Sequence, residues 1–170
     1  MSRFKISKVK LLLENSSNCL YFSGMYLGEL TRYILCDLTE KGLLFQGSAE
    51  AVTILSREGV FQTAHISTIE SDTEGDRLSQ AWSVIQELGL TGTASRLDAG
   101  LVRYVSQCVA IRASVLAAAG VSALLNKMSR RSVTVGMDGS LYKFHPHFQV
   151  VQISCSLSEI LYSRFRFRRG

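Results

Sequence analysis

The sequence predicts an α/β domain that is mostly helical with few strands. Three observations carry that expectation: apolar residues recur at helical spacing in five separate stretches, glycines stand just beyond the ends of several of them, and a single β-branched run, Val133–Met137, is too short and too branched for a helix. With 170 residues, 46% of them hydrophobic and 19% charged, the chain can bury a sizeable core, and neither a disordered nor a Pro-rich low-complexity composition fits one Pro and thirteen Gly.

The first helix is expected over about Leu20 to Lys41, with Met25, Leu27, Leu30, Tyr33, Ile34 and Leu38 on its apolar face and Gly42 at the C-terminal cap. Ser48 can cap a second, Glu50 to Arg57, closed by Gly59. Thr63 to Ile69 reads as a short helical turn. The polar run Ser71–Asp76 leads into a helix over Arg77 to Leu88 that stops at Gly89, with Trp82 expected in the core. The longest periodic segment, Asp98 to Met128, ends in small side chains that let a neighbour approach closely. A lone strand at Val133–Met137 cannot satisfy its own backbone groups, so it needs partners or belongs to a larger sheet.

Charge narrows the range of partners. The formal net charge is +5, but residues 1–10 and 164–169 hold eight basic residues and no acid, which leaves residues 11–163 net acidic. Nucleic acid is not an expected partner, and the Arg164–Arg169 cluster reads as a solvated tail. The longest apolar candidate, Val115 to Leu125, falls short of the roughly 20 residues of a membrane span. Cys19, Cys36, Cys108 and Cys155 show neither paired spacing nor a nearby His at zinc-ligand distance, and Cys36 and Cys108 read as small buried hydrophobes in a cytoplasmic protein. Mitochondrial association is possible but not indicated. Asp72, Glu74 and Asp76 stand at alternate positions, but Ser83 occupies the twelfth position where a calcium loop needs Glu, so an acidic helix start explains them better. His145 and His147 flank Pro146 with no carboxylate close in sequence and read as structural.

Three stretches, in order, resemble the eukaryotic hexokinases: Ser23-Gly-Met-Tyr-Leu-Gly-Glu-Leu30, Ile69-Glu-Ser-Asp72, and Val133-Thr-Val-Gly-Met-Asp-Gly-Ser-Leu-Tyr-Lys-Phe-His-Pro-His-Phe148. Between them Phe61-Gln-Thr63 and Ser67 also match the family's Phe-x-Thr-x-x-x-Ser. The details lean toward an insect-type or glucokinase-like member. The resemblance implies part of the large (C-terminal) domain of an actin-like (ribonuclease H-like) α/β fold. It divides the chain into residues 1–22 as a non-family extension, 23–148 as the partial hexokinase large domain, and 149–170 as a non-family basic tail.

That resemblance implies ATP-dependent phosphorylation of a hexose, glucose, at the 6-hydroxyl, with ATP and Mg²⁺ as cofactors and the hexose and ATP as partners. It places nucleotide contacts at Gly24, Met25, Thr63, Ala64, His65, Ile66 and Ser67, and puts Asp138 and Gly139 at the floor of the nucleotide cleft. For Thr63 and Ser67, ordinary helix capping is the competing explanation. Cys19 stands where the family holds sugar with a glutamate, and the phosphate loops and the segment carrying the catalytic aspartate have no counterpart here. The expectation is therefore a truncated hexokinase chain that is not competent alone and has no catalytic or metal residues of its own. The alternative is a non-catalytic fragment that binds nucleotide or associates with hexokinase, or with itself, through unpaired sheet edges.

Overall fold

The computed structural model describes residues 24–72, 78–128, 132–137, 145–146 and 164–169. Five helices, one 3₁₀ turn and two strands follow one another: α1 (Gly24–Glu40), a 3₁₀ turn (Phe45–Gly47), α2 (Ala49–Leu55), α3 (Thr63–Glu70), α4 (Ser79–Glu87), α5 (Arg96–Met128), β1 (Ser132–Met137) and β2 (Arg164–Arg169). The helices pack into one cluster in which α1 packs on α2, α3 and α5, α3 packs on α5, and α4 packs on α3 and α5. Leu27, Leu35, Leu44, Phe45, Leu55, Phe61, Ile66, Ile69, Val84, Ile85 and Leu90 are sealed in the core between them.

Local chemistry ends the helices where the glycines stand. Gly42 has φ +73°, its N–H donates to Thr39 O and that of Leu43 to Leu38 O, both at 3.0 Å. Gly89 repeats the arrangement at φ +73°, with Gly89 N–H to Gln86 O and Leu90 N–H to Ile85 O, and there Leu90 and Ile85 are both buried. The left-handed residue lets the chain turn back so that its next two N–H groups cover the last carbonyls of the helix. Ser48 caps α2, its hydroxyl accepting from Ala51 N–H.

Buried polar side chains then pin the helices to one another. Ser95 and Asp98 form a reciprocal cap at the start of α5: Asp98 Oδ2 accepts from Ser95 N–H (2.7 Å) while Ser95 Oγ accepts from Asp98 N–H (3.3 Å). The other carboxylate oxygen accepts from Phe45 N–H at 3.0 Å, 53 residues away. Phe45 and Gln46 have φ of 50° and 53°, a left-handed conformation costing about 1–2 kcal/mol per non-glycine residue, and the Asp98 contact holds that turn against α5. Asp72 performs a similar task. Its Oδ1 accepts from Ser79 Oγ–H (2.8 Å) and Gln80 N–H (3.0 Å), and its Oδ2 lies 3.4 Å from Arg103 Nη1, so one carboxylate caps α4 and ties it to α5.

Several expectations need correction. The described helices begin and end within a few residues of the expected places, and residues 20–23 of the first expected helix lie outside the described residues. Cys108 is exposed while Cys36 is buried: α5 is apolar on two faces, and periodicity could not tell which one the other helices cover. For the same reason α5 exceeds the short apolar run expected: Arg96–Leu124 contains an 18-residue window of mean hydropathy 1.6 and by length and composition alone is long and apolar enough to cross a membrane. Trp82 is only partly buried against the core. The strand at 132–137 has a partner. It pairs in parallel with β2, Ser132 opposite Arg164 through Met137 opposite Arg169, so residues 164–169, expected as a tail, are backbone-paired β structure. Its alternating Arg and Phe hid the strand because the charge count outweighed the period-two pattern.

Replacing Asp98 with Ala removes a cap and leaves the Phe45 N–H buried without a partner. The expected loss is about 2–4 kcal/mol of stability, read as a lower urea midpoint, with Asp98→Asn intermediate. An unchanged midpoint for Asp98→Ala would show that the turn at Phe45 holds without it.

Candidate functional site

The N-terminal ends of α1 and α3 meet. A Cβ on Gly28 would stand 2.5 Å from Phe61 O, 2.6 Å from Gln62 C and 2.6 Å from Thr63 N, so only glycine permits the contact. Across it Gly28 N–H donates to Thr63 Oγ1 at 3.0 Å. Thr63 is the first residue of α3, and Gln62 occupies the cap position before it, so the Thr63 hydroxyl joins two helices instead of capping its own.

Glu29 fixes the loop that borders this crossing. Its Oε1 accepts from Gly59 N–H at 2.6 Å, and its Oε2 accepts from Arg32 Nε (2.9 Å) and Nη2 (2.7 Å). Arg32, 2% exposed, also donates through Nη1 to Leu55 O at 2.6 Å, the last carbonyl of α2, where a cation is favoured by the helix dipole. Burial works to lower the Arg32 pKa, but the hydrogen bond and charge of Glu29 outweigh it and hold the guanidinium above its ordinary range. The result is a cleft of about 310 Å³ lined by Gly28, Glu29, Gly59, Phe61, Gln62, Thr63 and Ala64.

The sequence-designated residues fall into two groups. Thr63 and Ala64 line the cleft, and Gly24 and Met25 form the first turn of α1, one turn before Gly28. His65 and Ile66 turn inward, 8% and 0% exposed. His65 Nδ1 accepts from Gln62 N–H (3.0 Å), which leaves the ring proton on Nε2, 3.5 Å from Glu87 Oε1, and its ring meets Phe61 edge-on at 5.2 Å. These two residues can offer a ligand only their backbone. Ser67 sits half-buried one turn further along α3, away from the cleft lining. Asp138, Gly139 and His147 lie outside the described residues.

Sequence reasoning missed Glu29 and Arg32, although their i,i+3 spacing on one helix was a visible signal. It also missed a carboxylate beside His145. Glu70, at the end of α3, brings Oε2 to 3.6 Å from His145 Nε2, with both side chains almost wholly buried. The two are 75 positions apart, which is why no carboxylate near His145 showed in the sequence.

Comparison with known proteins decides the ancestry of this arrangement. The sequence model of the hexokinases matches residues 20–166. The chain belongs to the hexokinase family. That match runs beyond Phe148, where the motif resemblance stops, and takes in the first half of β2. Human hexokinase-1 is 45% identical over 132 residues, covering 74% of this chain and 14% of the human protein, and hexokinase-2 of the horse is 44% identical over 135 residues, covering 76% and 14%. A hexokinase from Schistosoma mansoni, solved in complex with glucose, superposes with a TM-score of 0.81 at 33% identity over 88% of this chain and 33% of its own. The chain therefore spans about one seventh of the length of the curated hexokinases it matches, and its fold is a mostly helical part of the actin-like hexokinase fold.

Two glycine substitutions of opposite sign test the crossing. Gly28→Ala should destabilise by about 1–3 kcal/mol, because the methyl group meets backbone that cannot give way. Gly120→Ala, where a Cβ on α5 meets nothing within 4 Å, should stabilise by about 0.5–1 kcal/mol. Thermal or urea unfolding of both variants reads the signs, and a stabilised Gly28→Ala would contradict the contact.

Proposed function

We propose that this chain serves ATP-dependent phosphorylation of a hexose, glucose, at its 6-hydroxyl, by forming one wall of the nucleotide site of a hexokinase large lobe. The observation that carries the reading is the convergence of the α1 and α3 starts on a cleft whose rim is Gly28, Gly59, Thr63 and Ala64. The N–H groups of Gly28 and Gly59 are engaged within the rim, and the first turn of α3, with Thr63 and Ala64, is the part that favours an anion and suits a phosphate chain. The glucose bound to the schistosome hexokinase supports the choice of sugar.

Among the described residues the cleft offers one carboxylate, Glu29, and both its oxygens are engaged by Arg32 and Gly59. On this reading Mg²⁺ enters with the nucleotide and draws no ligand from this wall. Bound ATP supplies the γ-phosphoryl group. On this reading the chain's own residues position it: Thr63 and Ala64 at the rim, with Gly24 and Met25 one turn before Gly28, contact the phosphates or ribose, while Glu29 and Arg32 keep the rim loop in place. No described residue of the cleft is placed to take the proton of a sugar hydroxyl, so turnover requires parts of the lobe beyond this wall.

Ala64→Glu separates binding from folding. It sets a negative charge at the rim, where phosphate would sit, yet an acid in the first turn of α3 favours the helix. Affinity for a fluorescent ATP analogue should fall at least tenfold, about 1.4 kcal/mol, with the unfolding midpoint unchanged or raised. Equal affinity in both proteins would move the nucleotide elsewhere. In a coupled assay with glucose and Mg·ATP, the purified chain should release no ADP above a blank.

A further inference from the structure

A second cavity, of about 430 Å³, lies where α4 and α5 begin, lined by Leu78, Ser79 and Trp82 from one helix start and Arg96 and Ala99 from the other. It shares no lining residue with the cleft at the start of α3. Asp72, which follows α3, caps α4, so the length of α3, about 12 Å, separates the two places. Leu78 and Trp82 stand four residues apart and Arg96 and Ala99 three apart, so each pair shares a helix face. Ala99 is 1% exposed, and its methyl group is too small to fill the space beside it. Trp82 packs part of its indole on the core and stays half-buried, while Arg96 is exposed.

The polar groups here have not been used up. Among the described residues neither the Arg96 guanidinium nor the Trp82 indole N–H has a hydrogen-bond or ion-pair partner. The carboxylates that flank the place are committed elsewhere: Asp72 to Ser79, Gln80 and Arg103, and Asp98 to Ser95 and Phe45. We propose that this cavity binds a small aromatic carboxylate, its ring against Trp82 and Leu78 and its carboxylate on Arg96. A volume of this size, apolar walls and a few convergent polar groups are the usual form of a small-molecule site. A guanidinium matches a planar carboxylate through two parallel N–H bonds, and an indole face gains more from a ring than from an aliphatic chain. A nucleotide suits the cavity poorly, because its several phosphate charges would meet one arginine. The inference uses neither family membership nor the nucleotide contacts, so it and the proposed function can fail separately.

Trp82 is the one tryptophan in the sequence, so its emission reports on the cavity directly. The purified full chain is titrated with 3-phenylpropanoate, 3-phenylpropanamide, hexanoate and inorganic phosphate. The expected result is a saturable change of Trp82 emission with 3-phenylpropanoate. The amide, which lacks the charge, should bind at least tenfold more weakly, and hexanoate, which lacks the ring, severalfold more weakly. Phosphate should have no effect. Arg96→Gln should weaken 3-phenylpropanoate at least tenfold and leave both the amide affinity and the unfolding midpoint unchanged, since Arg96 holds nothing else in place. A fluorescent ATP analogue should leave the affinity for 3-phenylpropanoate unaltered. No saturation below about 1 mM, equal affinity for acid and amide, hexanoate bound as tightly as the aromatic acid, or acid binding indifferent to Arg96→Gln each overturns the proposal. Phosphate binding lost in Arg96→Gln would reduce the site to a surface arginine, and displacement by the ATP analogue would merge it with the cleft; either result also overturns it.

Discussion

The missing side chain of Gly28 is the constraint on which the candidate site depends. With three backbone atoms of residues 61–63 within 2.6 Å of the point where a Cβ would stand, α1 and α3 touch backbone to backbone. This proximity brings Thr63 Oγ1 to the Gly28 N–H, and it fixes α3 in rotation, so that His65 and Ile66 face the core while Ala64 faces the rim. The neighbouring residue, Glu29, then reaches the Gly59 N–H and holds the far side of the loop. A separation larger by one methyl group would undo each of these contacts together.

What was legible in the sequence follows the distance over which each cause acts. Gly42, Gly59 and Gly89 were readable as stops because a left-handed residue after a helix is a local requirement, and all three have φ between +73° and +76°. Ser48 was readable as a cap for the same reason. The second oxygen of Asp98 was not, since its partner, Phe45, is 53 residues away, nor was the meeting of Glu70 with His145. Gly28 looked like any glycine in a helix, where it costs stability relative to Ala, and only the tertiary contact gives it a reason. Thr63 and Ala64 came from family resemblance; no periodicity or spacing marks them. On α5 the pattern was seen and its meaning was not, because periodicity finds apolar faces without telling which is covered.

The electrostatics of the cleft follow from the same contacts. The start of α3 brings partial positive charge to its rim, and among the described lining residues one carboxylate, Glu29, opposes it. Arg32 removes that opposition. It sits on the inner side of Glu29, 2% exposed, holds Oε2 by two nitrogens, and is kept ionised by that contact against the pull of burial. A lysine could not replace it, because a single ammonium cannot reach Glu29 twice and the Leu55 carbonyl once in the planar geometry observed. With the carboxylate of Glu29 matched by the guanidinium of Arg32, the start of α3 sets the sign of the field at the rim.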